Sequence, residues 1–232
     1  MNCDGIAPYY EILERASFGS WLKRTRTAYL AEVCGARRAL LCCGGDGRFL
    51  VRLLEADRDV RVDYVDLSAE MVKIARWRVG AMGREFLDRV RFLVGDVRDV
   101  VDSAASAGSY DLIVTHFFLD CFSERELGEI VGHLRECAAP RARWLVSEFH
   151  EVKTRVGRVW SRALICGMYA AFRVVTGLRV TEVPDYQAAL MSRGFRMREG
   201  RTMLGGLLLA SLWHKVVHGG GAGCTNEATT VE

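Results

Sequence analysis

The sequence predicts an α/β fold around a parallel sheet, on three observations. Short apolar runs alternate with amphipathic stretches of helical period between residues 36 and 149. The first three of these runs end in glycine or an acidic residue. Two further strand-like runs follow residue 194 and close the sheet. Strands separated by helices pair in parallel through crossovers that are almost always right-handed. Ligands of such sheets lie beyond the carboxyl ends of the strands, where the strand order reverses.

Residues 8–34 read as helical, with Tyr9, Ile12, Leu13, Trp21, Leu22, Tyr29 and Val33 at helical spacing and Gly19 separating two helices. Residues 39–43 are a short, fully apolar strand that runs into Gly44-Gly45-Asp46-Gly47, and a helix over 48–56 follows with Phe49, Leu50, Leu53 and Leu54 facing inward. Strand 61–65 closes on Asp66, and Ser68 caps the helix that carries Met71, Val72 and Ala75. Strand 90–94 ends in Gly95-Asp96, and strand 110–115 in His116-Phe117-Phe118. Ser123 caps a helix to about residue 138, with Glu126 completing a capping box. Strand 143–149 is the fifth. Residues 150–183 hold a long helical segment, Pro184 opens a helix to about residue 192, and 195–199 with 203–214 form the closing pair. The glycine-rich tail from Gly219 is expected to be disordered.

Composition narrows the function classes. The net charge of +3 is modest and the basic residues, mostly arginines, are scattered, which argues against a nucleic-acid interface. The eight cysteines include no C-x-x-C pair, so neither a zinc site nor a disulfide framework is expected, and a reducing, cytoplasmic setting is. The first residues lack the apolar stretch of a signal peptide, and no uncharged apolar run reaches the roughly 20 residues of a membrane span.

Three strand ends carry candidate ligand contacts. The glycines of 44–47 permit close backbone approach beside the free N–H groups of a helix start; the plainer reading is a tight connection. Asp66 can accept from both hydroxyls of a ribose, with Leu67 and Met71 as an apolar wall for a purine; the plainer reading is a helix cap, a role Ser68 already fills. Asp96 can accept from an adenine amino group, although a Gly-Asp pair after a strand is more often a turn. A dinucleotide site fits less well. Its G-x-G-x-x-G pattern meets Gly45 and Gly47 but places Leu50 at the third glycine, and it leaves Asp96 without a role.

The runs Cys43-Gly44-Gly45-Asp46-Gly47, Val65-Asp66-Leu67-Ser68-Ala69-Glu70-Met71 and Val94-Gly95-Asp96-Val97 resemble successive motifs of class I S-adenosylmethionine-dependent methyltransferases, in the small-molecule branch that includes quinone-biosynthesis enzymes. The resemblance covers roughly residues 36–149, and residues 195–214 are similar to the family's closing antiparallel hairpin. It implies a Rossmann-like, seven-stranded, mostly parallel sheet with helices on both faces. It also implies S-adenosylmethionine as cofactor, contacted by Gly44, Gly45, Gly47, Asp66, Leu67, Met71, Asp96, Val97 and His116. The family pattern has glycine where Cys43 stands and often an acid where Leu41 stands.

For catalysis, His116 is the candidate general base, equally readable as a residue lining the cofactor or capping, and Asp120 is a candidate to orient it or act itself, although a structural role is the plainer reading of Asp120. His116-Phe117-Phe118-Leu119 lacks the Asn/Asp-Pro-Pro-Tyr/Phe run of amino-methylating enzymes, and its aromatics suit an apolar or aromatic small-molecule acceptor. That acceptor is expected between Phe117, Phe118, Tyr9, Tyr10 and the 150–183 helix with Trp160 and Tyr169. The helix is read as a lid; a dimer contact and a membrane-surface helix are the weaker readings. One domain is therefore expected over 1–218, with a helical cover at 1–35, the lid at 150–183 and a flexible tail at 219–232. No metal is expected. A cofactor-binding fold that no longer transfers methyl and serves as an interaction protein is the alternative function.

Overall fold

A computed structural model describes residues 18–102, 106–150 and 184–216. Tyr9, Tyr10, Trp160, Tyr169, the tail and all of the expected lid but His150 lie outside the described residues. In chain order come α1 (Trp21–Arg26), α2 (Leu30–Val33), β1 (Arg38–Cys42), α3 (Arg48–Ala56), β2 (Arg61–Asp66), α4 (Ala69–Gly80), α5 (Arg84–Leu87) and β3 (Val90–Val94). They are followed by α6 (Val97–Val100), β4 (Tyr110–His116), a 3-10 turn (Leu119–Cys121), α7 (Glu124–Cys137) and β5 (Ala138–Phe149). After the undescribed stretch come α8 (Tyr186–Ser192), β6 (Phe195–Met203) and β7 (Leu208–Lys215).

The seven strands form one sheet in the order β3-β2-β1-β4-β5-β7-β6. β1 to β5 are parallel, and β7 runs antiparallel between β5 and β6. The order reverses between β1 and β4, which places the Gly44–Gly47 loop and His116 at the switch point.

Burial on both faces explains the continuous apolar runs. Leu40 and Cys42 of β1, Ile113 of β4, and Trp144 and Val146 of β5 enter one core, closed by Leu127, Ile130 and Leu134 of α7 and Leu190 of α8. Ala39 and Leu41, Val62 and Tyr64, Leu112 and Val114 enter the other, closed by Leu50, Leu53 and Leu54 of α3 and Ala75 and Val79 of α4. Leu41 is thus a core residue, and an acid there would have to be buried in an apolar layer.

The expected caps are present: the Ser68 side chain accepts from the Met71 amide, and Ser123 with Glu126 forms the capping box of α7. Several boundaries need correction. β5 starts at Ala138 rather than 143, extending back through Pro140 and the left-handed Arg141 across a register shift against β4. The closing strands are cut at Leu204-Gly205-Gly206, so β6 reaches Met203 and β7 starts at Leu208. Asp185, not Pro184, caps α8, accepting from the Ala188 amide at 2.9 Å. The helical stretch before 34 breaks at 27–29 into α1 and α2.

Candidate active site

The loop after β1 is fixed from below. Tyr64, fully buried, donates its hydroxyl proton to the Gly45 carbonyl. A Cβ on Gly44 would lie 2.3 Å from the Tyr64 ring, and one on Gly47 would lie 2.7 Å from Ala75 of α4. Gly44 and Gly47 therefore answer to internal packing, in keeping with the plainer reading of a tight connection. Cys43 takes a left-handed φ of 53° where the family pattern has glycine, and its amide donates to the Val65 carbonyl at 2.8 Å. Asp46, which the sequence reading passed over, is buried and held by Arg48 of α3 at 2.9 Å and Arg78 of α4 at 3.0 Å.

Asp66 ends β2 directly beside this loop. One carboxylate oxygen accepts from the Gly45 amide at 3.3 Å, the other from the Ser68 amide at 3.0 Å. A carboxylate offers about four acceptor positions, so it can hold the loop and take ribose hydroxyls as well. Leu67 and Val94 flank it as exposed apolar side chains, 45% and 50% accessible, whereas Met71 and Val97 are buried. Val94 is thus an exposed apolar residue at the strand end beside Asp66 that the sequence did not single out, and Met71 and Val97 belong to the interior. Asp96 caps the short α6 through the Arg98 amide at 2.9 Å and pairs with the Arg98 guanidinium at 2.6 Å. That hydrogen bond outweighs burial, which acts the other way, and holds its carboxyl below the usual carboxylate range.

At the end of β4 the chain turns sharply: Phe117 has a φ of 53°. Three successive amides then anchor on β5, that of Phe117 to the Ser147 carbonyl at 2.7 Å, and those of Phe118 and Leu119 to one Glu148 oxygen at 3.1 and 2.9 Å. The turn sends the two phenylalanines apart. Phe117 packs on Phe149 (centroids 5.1 Å apart) under the Arg26 guanidinium, 5.2 Å from its ring. Phe118 enters the core against Phe122, which corrects its expected place on an acceptor wall.

His116 is 6% exposed, and neither ring nitrogen has a hydrogen-bond partner. Burial, and secondarily the Arg26 charge, keeps its pKa well below 6.5, so the imidazole is neutral at pH 7. Asp120 is buried in the turn after β4, beside the fully buried Glu148. Burial, then the Asp120 charge, pushes the Glu148 carboxyl well above the usual range. Nothing in the spacing of the sequence marks Glu148; only an acid within an apolar strand could have. Among the described residues no group of three or more His, Cys, Asp or Glu is placed to hold a metal ion, and no helix is long and apolar enough to cross a membrane.

Residues 42–144 match the family model described as a methyltransferase domain. No curated protein matches the chain in sequence. Among solved structures, an O-methyltransferase family protein from Burkholderia thailandensis superposes with a TM-score of 0.68 at 16% identity over 92% of this chain. The mitomycin 7-O-methyltransferase MmcR does so with a TM-score of 0.64 at 18% identity over 89%, and a structure of PigF with SAH with 0.62 at 17% over 92%. The chain spans 60%, 57% and 59% of the length of these three proteins.

Proposed function

We propose that this chain, whose residues 42–144 match a methyltransferase domain model, is a class I S-adenosylmethionine-dependent methyltransferase of a small apolar or aromatic acceptor. The observation that carries the proposal is Asp66, a buried carboxylate at the carboxyl end of β2 that spans the Gly45 and Ser68 amides between the exposed Leu67 and Val94. Asp66 takes the ribose hydroxyls, Leu67 and Val94 the faces of the adenine, Asp96 the adenine amino group, and Gly45 the methionine end. When bound, S-adenosylmethionine supplies a methyl group on a sulfonium.

The remaining roles belong to the β4–β5 end of the cleft. His116 is neutral at rest and neither ring nitrogen has a partner, so it places no positive charge beside a sulfonium before transfer and becomes an imidazolium only when its lone-pair nitrogen takes the acceptor's proton. Phe117, with Phe149 and Phe18 behind it, offers the acceptor an aromatic wall. Asp120 faces Glu148 in the interior and acts through the loop rather than on the acceptor.

Calorimetry with S-adenosylmethionine and S-adenosylhomocysteine tests the cofactor assignment, and a screen of phenols, amines and thiols for S-adenosylhomocysteine release tests the reaction. Binding of both compounds and release with an aromatic acceptor is the expected result. A folded protein that binds neither would overturn the reading.

A further inference from the structure

Glu148 stands where an apolar residue belongs. It alternates with Trp144 and Val146 on the face of β5 covered by α7 and α8, and it is fully buried. A carboxyl in such a place is costly unless each oxygen is engaged. One oxygen is engaged by the Phe118 and Leu119 amides; the other has no hydrogen-bond partner, and the nearby Tyr186 hydroxyl has none either.

We propose that Glu148 is the positioning residue for the acceptor side of the cleft, fixing the loop that presents Phe117 by gripping two main-chain amides with one oxygen and Asp120 with the other. Its activity readout rests on the methyl-transfer reading above. Among the described residues, Asp120, Cys121 and Tyr186 are titratable groups facing Glu148, and burial raises the thiol and the phenol. Two carboxyls so close in a buried site favour sharing one proton over both being ionised. A proton on the second Glu148 oxygen, donated to Asp120, gives that oxygen its partner and leaves the pair with a single negative charge.

The grip has a specific beneficiary. Phe117 holds a left-handed φ that a phenylalanine adopts only when its surroundings impose it. The Ser147 carbonyl restrains it from its own amide, and Glu148 from the two amides that follow. Asp66, Gly45 and Asp96 are on β1 to β3 ends and share no hydrogen bond with Glu148. Loosening the grip therefore disturbs the acceptor wall and spares the cofactor contacts.

The test compares E148A and E148Q in the full chain. Gln keeps an oxygen for the two amides and an N–H for Asp120. E148A is expected to raise the acceptor KM tenfold or more, leave the S-adenosylhomocysteine dissociation constant within twofold, and speed amide exchange at Phe118 and Leu119 at least tenfold. E148Q is expected to restore all three readouts toward the wild type, a rescue that mere removal of a buried acid would not give. If E148A fails to fold, E148D, one methylene too short for the grip, carries the same expectations. The proposal is overturned if E148Q behaves like E148A, or if E148A leaves exchange and KM unchanged. Should no acceptor turn over at all, the exchange result still decides the matter, and the methyl-transfer reading alone fails.

Discussion

The imidazole of His116 stands edge-on to the ring of Phe49, with centroids 4.6 Å apart and planes at 79°. The contact joins the end of β4 to the first turn of α3, so an aromatic edge rather than a hydrogen bond holds the imidazole within its buried site. Both ring nitrogens are buried and unpaired, so a ligand that reaches either one meets an uncommitted hydrogen-bonding group.

Replacing His116 by Asn is therefore expected to lower kcat by about 100-fold or more, the usual contribution of a positioned base. S-adenosylhomocysteine affinity should change by only a few-fold. A kcat within a factor of three of the wild type would assign His116 to packing alone.

Two buried groups tilt stability in opposite directions with pH. His116 has a folded pKa below 6.5, so its contribution is complete above about pH 6.5 and is lost as pH falls through the folded value. Glu148 has a folded pKa above 4.5, so its contribution is complete below about pH 4.5 and is lost as pH rises through the folded value. Each slope is limited to about 1.4 kcal/mol per pH unit. Urea unfolding between pH 5 and 9 checks this: H116N should flatten the acid side and E148Q the alkaline side. An E148Q curve parallel to the wild type on the alkaline side would contradict the assignment.

Asp66→Ala removes a charge-assisted acceptor, worth about 1.5–3 kcal/mol per bond. The S-adenosylhomocysteine dissociation constant should rise tenfold or more in calorimetry. Circular dichroism on the same sample establishes that the variant is folded, and an unchanged constant in a folded variant would remove the ribose assignment.

Gly44→Ala forces a methyl group into the Tyr64 ring. Overpacking of this kind costs about 1–3 kcal/mol. Chemical denaturation of G44A, Y64A and the double variant should show a double variant more stable than the two separate losses predict. Strict additivity would mean that the loop relaxes without Tyr64.

The sheet was legible because its strands are apolar on both faces, as in Ala39 to Cys42, and because Ser68 and Ser123 announce their helices. The four-residue helices Arg84–Leu87 and Val97–Val100 are too short to show a period. Leu204-Gly205-Gly206 hid a chain reversal behind an apolar leucine, although the glycine pair was a signal. At the candidate site, the place of Asp66 at the end of a strand was legible. The divergence of Phe117 and Phe118 was not, because it is set by one backbone angle. Asp46, Tyr64 and Glu148 act through groups distant in sequence, Arg78 at 32 residues, the Gly45 carbonyl at 19 and the Leu119 amide at 29, and no local pattern reports them.

The tie from Tyr64 to the loop after β1 has a thermodynamic consequence. With the Tyr64 hydroxyl on Gly45, the Cys43 amide on Val65 and the Gly45 amide on Asp66, the backbone freedom of residues 43–45 is given up during folding. A ligand entering there does not have to order the chain. Its uptake should carry a heat-capacity change set by the apolar surface that Leu67 and Val94 bury, with no coupled-folding component from this loop.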